Sequence, residues 1–126
     1  MKNGVIQVID NKDYSEALGE FKEAYAQIWT FHISLKRLVI RLSFTKQKEV
    51  LYILAAGCEH VQGVFSWEKS DLTIENASDN TGQHYLTRIF DRNSLFELQA
   101  SGGVVLFYGS SDDLWWTLDE LKIDGD

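Results

Sequence analysis

Hydrophobic residues repeat at two different spacings along the chain, first with the period of a helix and then with the period of strands. From Tyr14 the apolar positions follow at alternating intervals of four and three residues, which places them in one stripe on a helix. Asp13 and Glu16 have the spacing of a capping box at its start. The pattern therefore predicts an amphipathic helix over residues 13–29 that covers one face of a sheet.

After Trp29 the β-branched and aromatic residues become frequent and the period drops to two. From Leu38 to Phe44 the even-numbered residues are apolar, which predicts a strand whose even positions face a core. The alternation slips at Lys36-Arg37, where we expect a bulge or the junction of two short strands. The segment from Val50 to Ala56 is apolar on both faces and is typical of a central, fully covered strand.

Short apolar runs separated by turn-forming residues fill much of the remaining chain. Gly63 predicts a kink inside one of these runs. Gly102-Gly103 predicts a two-residue hairpin, because the favoured hairpin turns need positive φ angles. Residues 76–82 contain no large apolar side chain and are expected to form the most mobile loop. The expected strands cover residues 5–9, 61–67, 72–75, 85–90, 95–100 and 104–108.

The C-terminal stretch carries a helix signal. Ser111 is a suitable N-cap, and Asp112-Asp113 follow where a helix dipole favours acids. Against this, Trp115 to Thr117 are better strand formers than helix formers. The patterns together predict a single α+β domain over residues 1–126: one amphipathic N-terminal helix packed on a twisted antiparallel meander sheet of about six or seven strands, closed by a short C-terminal helix. The apolar stripe of that last helix consists of Leu114, Trp115, Leu118 and Leu121.

Composition narrows the class of protein. The chain has 126 residues and a formal charge of -7, which argues against broad affinity for nucleic acids or anionic membranes. No uncharged apolar run approaches the ~18 residues of a membrane-spanning helix. Cys58 is the sole cysteine, so no intramolecular disulfide forms and a reducing compartment is favoured. The first ten residues lack the pattern of a signal peptide, and we expect a cytoplasmic protein.

Charge is distributed unevenly. Residues 24–48 hold five cations and no acid, whereas residues 112–126 hold six acids against Lys122 alone. Either the acidic segment pairs with the cations of the same molecule, or a charged surface meets a partner protein. The basic segment also contains Trp29, Phe31 and Phe44, a combination used to bind single-stranded nucleic acid. The acidic balance of the whole chain makes a nucleic-acid partner the less favoured interpretation.

Signals for catalysis or metal binding are weak. In an extended strand Cys58 and His60 would share a face, and a thiolate beside a histidine is a known nucleophile; the alternative is a buried structural cysteine. The histidines, His32, His60 and His84, show no zinc-site spacing, although Cys58, His60 and His84 could converge through a sheet. No phosphate-binding or hydrolase motif is present, so neither a cofactor nor a catalytic residue is assigned.

Trp115-Trp116 is the remaining feature. Adjacent residues cannot share one face fully, so at least one indole is expected near the surface, either as an interface anchor or as a clamp on the sheet. We expect a small acidic protein-interaction or regulatory protein of the bacterial adaptor or immunity type, without catalytic activity. The alternatives are a small-molecule-binding domain with an apolar pocket between sheet and helix, or a Cys/His-dependent enzyme. The candidate residues for a protein partner are Arg37, Arg41, Trp115 and Trp116.

Overall fold

The computed structural model describes residues 7–78 and 85–111 of the chain. A 3₁₀ turn, Asn11–Asp13, leads directly into the helix. The helix and strands, numbered in chain order, are β1 Gln7–Val8, α1 Tyr14–Glu20, β2 Tyr25–His32, β3 Arg37–Ser43, β4 Glu49–Ala55, β5 Cys58–Gln62, β6 Ser66–Trp67, β7 Leu72–Ser78, β8 Tyr85–Asp91, β9 Glu97–Ala100 and β10 Val104–Ser110.

The strands form two antiparallel sheets. A six-stranded sheet has the order β1-β10-β4-β3-β2-β6, and a four-stranded sheet has the order β5-β9-β8-β7. The predicted α+β class with antiparallel strands is confirmed. The prediction of one meander sheet under an amphipathic helix is wrong, because the chain changes sheets four times, before β5, before β6, before β7 and before β10. Strand alternation reports which face of a strand is buried, but it does not report which strand lies beside it.

Two of these crossings, the β4–β5 and β9–β10 connections, are hydrogen-bonded to each other. The Ser101 amide donates to the Gly57 carbonyl over 2.9 Å, and the Gly102 amide donates to the Ala56 carbonyl over 2.8 Å. Gly102-Gly103 thus joins β9 of one sheet to β10 of the other, and the hairpin predicted there is wrong. A Cβ at Gly102 would lie 2.9 Å from the Ala56 carbonyl oxygen, so the close approach of the two loops explains this glycine.

The N-terminal helix is shorter than its hydrophobic stripe predicts. It ends at Glu20, and Glu23 adopts a φ of 76°, which turns the chain into β2. The expected capping box is also wrong, since the Asp13 side chain makes no capping hydrogen bond. Phe21 continues the stripe into the core without helical backbone. β2 pairs with β3 along its whole length. These long-range contacts outweigh the local preference of residues 25–29 for a helix.

Both faces of the six-stranded sheet are buried. Its inner face packs with α1 and the four-stranded sheet around a common core that includes Phe21, Ile40 and Leu98. Its outer face carries a second cluster that includes Val39, Leu54 and Phe107. The prediction that the strand starting at position 50 is covered on both sides is confirmed, since residues 50–55 are at most 1% exposed. The even positions predicted to face the core from β3 do so, but the expectation that alternation marks a single buried face is wrong, because the odd-numbered Val39 is buried as well.

The break in alternation before β3 is a turn. Residues 33–36 connect β2 to β3, and Lys36 adopts a φ of 53°. The bulge lies elsewhere, between Ile28 and Thr30 of β2. Gly63, with a φ of 123°, lies between β5 and β6, and the single kinked strand predicted over residues 61–67 is wrong, because these two strands belong to different sheets. Part of the predicted mobile loop belongs to β7, which extends to Ser78; the rest of that loop and the predicted C-terminal helix lie outside the described residues.

Candidate functional site

Exposed apolar side chains are concentrated at one corner of the molecule. Nine large apolar residues of the described chain are exposed, and seven of them lie in three segments that neighbour one another. The end of β2 and the turn that follows it contribute three, the stretch from β5 to β6 contributes three, and the loop before β9 contributes one. We call this surface the hairpin patch, and it consists of Phe31, Ile33, Leu35, Val61, Val64, Phe65 and Leu95.

Two backbone hydrogen bonds align the first two segments of the hairpin patch. The Ile28 amide donates to the Phe65 carbonyl over 2.8 Å, and the Cys58 amide donates to the Lys36 carbonyl over 2.8 Å. Residues 28–36 and 58–65 therefore run antiparallel beside each other. This arrangement brings Ile33, in the turn after β2, close to the level of Val61, in a strand of the other sheet.

A buried aromatic pair supports the third segment. Trp67 and Phe96 stack with ring centres 4.6 Å apart. A Cβ at Gly63 would lie 2.8 Å from the Cα of Phe96, so the backbone of the β5–β6 stretch lies directly against the residue that follows Leu95. Leu95 is 87% exposed and Phe65 is 80% exposed, which makes them the two most exposed apolar side chains of the described residues. The hairpin patch thus lies on a packed support.

Arg41 lies on the outer face of the six-stranded sheet and is 8% exposed. Its guanidinium carbon lies 4.3 Å from the ring centre of Trp29, and Nη2 donates to the Ser111 carbonyl over 3.4 Å. Its Nε is buried and has no hydrogen-bond partner within the described part of the chain. Arg37 is half-buried opposite His32, at the end of the β2–β3 hairpin. Trp115 and Trp116 lie outside the described residues, and binding by these four residues stays a prediction.

Cys58 and His60 do not share a face, so the geometry expected for a nucleophile and its base is wrong. A register shift in β5 pairs Cys58 with Ala100 and His60 with the adjacent Gln99, which puts the two side chains on opposite faces. Burial raises the pKa of the Cys58 thiol, a weak hydrogen bond to the His60 carbonyl opposes this shift, and the charge of Glu59 adds to it. The thiol is therefore kept protonated rather than activated.

Neither a metal-ligating cluster nor a membrane-spanning helix occurs among the described residues. Within residues 7–78 and 85–111, no group of three or more histidine, cysteine, aspartate or glutamate side chains could hold a metal ion. His84 of the hypothetical Cys58–His60–His84 site lies outside the described residues, so its convergence with the other two is not tested. None of the helices in the described segments has the length and hydropathy needed to cross a membrane.

A cavity of about 390 Å³ lies between α1 and β7. It occupies the place where an apolar pocket between helix and sheet was predicted, but its walls mix apolar and polar side chains. Leu18 and Ile74 are apolar residues of its lining, whereas Lys22, Asp71 and Arg92 add charged side chains to it. The chemistry of this cavity therefore suits a small polar or charged molecule better than a purely apolar one.

Sequence reasoning missed most of the hairpin patch. The sequence identifies Phe31 only as a neighbour of cations, and it predicts no more than a bulge or a junction of short strands just after Ile33 and Leu35. The signal that could have located them is their position beside Lys36-Arg37, because apolar residues at the tip of a hairpin extend beyond the sheet that would cover them. Comparison of the chain with protein-family models, curated proteins and solved structures finds no match.

Proposed function

We propose that this protein is a non-catalytic interaction module that binds a partner protein through the hairpin patch. The supporting observation is the concentration of seven of the nine exposed large apolar side chains in one corner of the described structure. Scattered exposed apolar residues are normal on protein surfaces, whereas a contiguous group marks an interaction site. Phe31 and Phe65 are suited to act as anchors, because aromatic side chains are enriched at the energetic centre of interfaces.

Charges beside the hairpin patch restrict the chemistry of the partner. Lys36 is exposed at the tip of the β2–β3 hairpin, and Arg37 follows it. A partner that places an apolar centre on Phe65 and Ile33 and an acidic group opposite Lys36 would complement this surface. Such peripheral charges raise the association rate and fix orientation more than they raise affinity. The proposed role of Lys36 is therefore to steer the partner toward the apolar anchors.

Site-specific photo-crosslinking in the cells of origin tests the proposal. A photoreactive phenylalanine analogue at Phe65 should form one dominant adduct with another protein. The same analogue at Val8 is the matched control, since Val8 is 65% exposed but lies on β1, at the opposite edge of the six-stranded sheet from β2 and β6. The adducts are identified by mass spectrometry, and the partner is then purified for binding measurements.

The outcomes separate the interpretations. An adduct specific to position 65, whose yield falls when Ile33 is changed to Asp, supports a partner at the hairpin patch. An adduct with a second copy of this chain would show that the patch is a self-association surface. Equal adducts at positions 8 and 65, or no adduct at either position in protein that is folded, would contradict the proposal.

A small-molecule role is the second candidate, and the cavity between α1 and β7 supports it. Leu18 and Gly19 line this cavity, and a Cβ at Gly19 would have no atom within 4 Å, so Gly19→Phe would fill space without a backbone clash. A ligand that raises the unfolding temperature of the wild-type chain and leaves Gly19→Phe unchanged would favour this function. Equal shifts in both proteins would place the ligand elsewhere.

A further inference from the structure

A groove of about 860 Å³ lies beside the last residues of β3. The start of β2, the end of β3 and the loop that follows β3 line it, together with the turn after β6 and the residue after β10. We call it the Arg41 groove, and its lining includes Tyr25, Arg41, Ser43, Phe44, Lys69 and Ser111. It shares no described lining residue with the cavity between α1 and β7. Its volume suits a small organic molecule.

Arg41 brings a nearly buried positive charge to this groove. The residue is 8% exposed, and Nη2 donates a single long hydrogen bond, of 3.4 Å, to the Ser111 carbonyl. The buried Nε donates to no acceptor. A guanidinium has five N–H donors and a full charge, so one distant carbonyl satisfies it poorly. Within residues 7–78 and 85–111, Arg41 therefore has no carboxylate that compensates its charge.

The position of the guanidinium is restrained from two sides. The backbone of Arg41 is paired with Gln27 of β2 and with Tyr52 of β4, so it lies in the interior of the sheet. The guanidinium carbon lies 4.3 Å from the ring centre of Trp29, which holds the side chain by a cation–π contact. An arginine restrained in this way loses little freedom when its planar fork bonds to a carboxylate.

Two aromatic side chains of the lining indicate the rest of the ligand. Tyr25 is 40% exposed and pairs with Ser43, and Phe44 follows Ser43 in the chain. The ring of Phe44 stacks on the buried ring of Phe21 with centres 5.7 Å apart, so the core supports it. A planar apolar group can pack against such rings, because offset and edge-to-face contacts between aromatic groups are favourable. The Arg41 groove thus combines a cation with aromatic wall.

Charged side chains at the groove favour a ligand with one negative charge. Lys69 adds a second cation to the lining, but the exposed Glu23 and Glu68 also line the groove and cancel it. A group with two negative charges would be repelled more strongly by these acids than a group with one. A monocarboxylate therefore matches Arg41 better than a phosphate monoester does.

We propose that the Arg41 groove binds a small aromatic monocarboxylate, with the carboxylate on the guanidinium of Arg41 and the ring against Tyr25 and Phe44. The ligand supplies the counter-charge that Arg41 lacks among the described residues, and paired charge-assisted hydrogen bonds give the contact its orientation. This site goes beyond the proposed function and is independent of it, because none of its residues belongs to the hairpin patch.

Titration of the full-length chain with phenylacetate, followed by NMR, tests the site. The side-chain Nε–H signal of Arg41 should shift and saturate, with a dissociation constant of about 1 mM or lower. Phenylacetamide lacks the charge and acetate lacks the ring, so each should bind about tenfold more weakly or worse. Equal affinity for acetate or for phenylacetamide would contradict the proposed ligand class. A shift of the Arg41 signal that does not saturate with phenylacetate would overturn the site.

Ser43→Glu competes with the ligand and keeps Arg41 in place. Residue 43 lies two positions from Arg41 on the same face of β3, about 7 Å along the strand, so the new carboxylate can pair with the guanidinium. Affinity for phenylacetate should fall about tenfold or more. Gln62→Glu adds the same charge at an exposed position of β5 and should leave affinity unchanged.

The two variants separate the outcomes. Unchanged affinity in folded Ser43→Glu would contradict the site, and an equal loss in Gln62→Glu would show a general effect of charge instead of competition at Arg41. Retention of the wild-type unfolding midpoint confirms that each variant is folded. Failure of these tests would leave the crosslinking result at Phe65 unaffected, since that experiment probes the hairpin patch.

Discussion

The indole nitrogen of Trp67 donates a 2.7 Å hydrogen bond to the carboxylate of Asp91, and both residues are buried. The same carboxylate accepts the amides of Asp71 and Asn93 at 2.8 Å and 2.6 Å. Asp91 thereby joins β6 of one sheet to the β7 and β8 region of the other. This connection supports the stacked Trp67 and Phe96 beneath the hairpin patch.

Asp91→Asn should destabilise the protein. An asparagine side chain has one carbonyl oxygen where the aspartate has two acceptor oxygens, so its NH₂ group would face one of the present donors. We expect a loss of about 2–3 kcal/mol in the free energy of unfolding. Urea unfolding measures it, with the exposed Asp10→Asn as the control. A loss equal to that of the control would show that the buried connection contributes little.

Gly63→Ala tests the close contact below the hairpin patch. Gly63 has a φ of 123°, and an added Cβ would lie 2.8 Å from the Cα of Phe96. Gly103 is a suitable control, because it also has a positive φ, of 87°, but a Cβ there meets no atom within 4 Å. Backbone strain alone costs about 1–3 kcal/mol, and the clash adds to it only at Gly63. Equal changes in the unfolding midpoint for the two variants would contradict the contact.

Alkaline pH should weaken the fold through Tyr108. Burial, the hydrogen bond to Glu20 and neighbouring carboxylates raise the pKa of Tyr108 to about 12. The unfolded phenol loses its proton near pH 10, so the folded state binds the proton more tightly. Stability from this group is present below about pH 10 and is lost as the pH rises toward 12. Burial raises the pKa of Tyr14 as well, so its effect has the same sign.

Tyr108→Phe provides the measurement for this pH effect. Urea unfolding of the wild-type chain at about pH 9 and pH 11 should show a loss of stability, and the variant should show a smaller loss over the same interval. The hydrogen bond to Glu20 is absent at both pH values in the variant, so the difference between the two losses isolates the phenol. Identical losses in both proteins would contradict the raised pKa.

Cys58 should react slowly with alkylating agents in the folded protein. Its thiol is buried and its pKa is raised, so little thiolate is present and access is limited. Iodoacetamide labelling followed by mass spectrometry at about pH 8 should therefore be slower than for the urea-unfolded chain. Faster labelling of the folded chain than of the unfolded chain would contradict this prediction and support the hypothesis of a Cys/His-dependent enzyme.

Local patterns located the strands better than they located the helix. Leu38, Ile40 and Leu42 were assigned to a buried face by alternation alone, and the structure confirms this face because period-two alternation reports burial directly. The helix was extended too far because Tyr25 and Ile28 continue its stripe by coincidence, although they lie in β2. A strand's long-range pairing cannot be read from such a local repeat.

The candidate site was harder to predict than the fold. Arg41 was identified from its charge, but its burial beside Trp29 depends on the outer face, which only the pairing of β3 with β4 defines. Phe65 and Ile33 belong to one surface because the chain enters the four-stranded sheet as β5 and then returns to the six-stranded sheet as β6, which pairs with β2. This proximity depends on the topology of two sheets, and a periodic pattern within one segment contains no information about it.

The dissociation constant of the crosslinked partner, measured by calorimetry with the purified proteins, tests the central claim most directly. Phe65→Asp should weaken binding by about 30-fold or more, which corresponds to a loss of 2 kcal/mol at an interface anchor, and Val8→Asp should leave binding unchanged. Both variants must retain the wild-type unfolding midpoint. Unchanged affinity in folded Phe65→Asp, or an equal loss in Val8→Asp, would contradict a partner site at the hairpin patch.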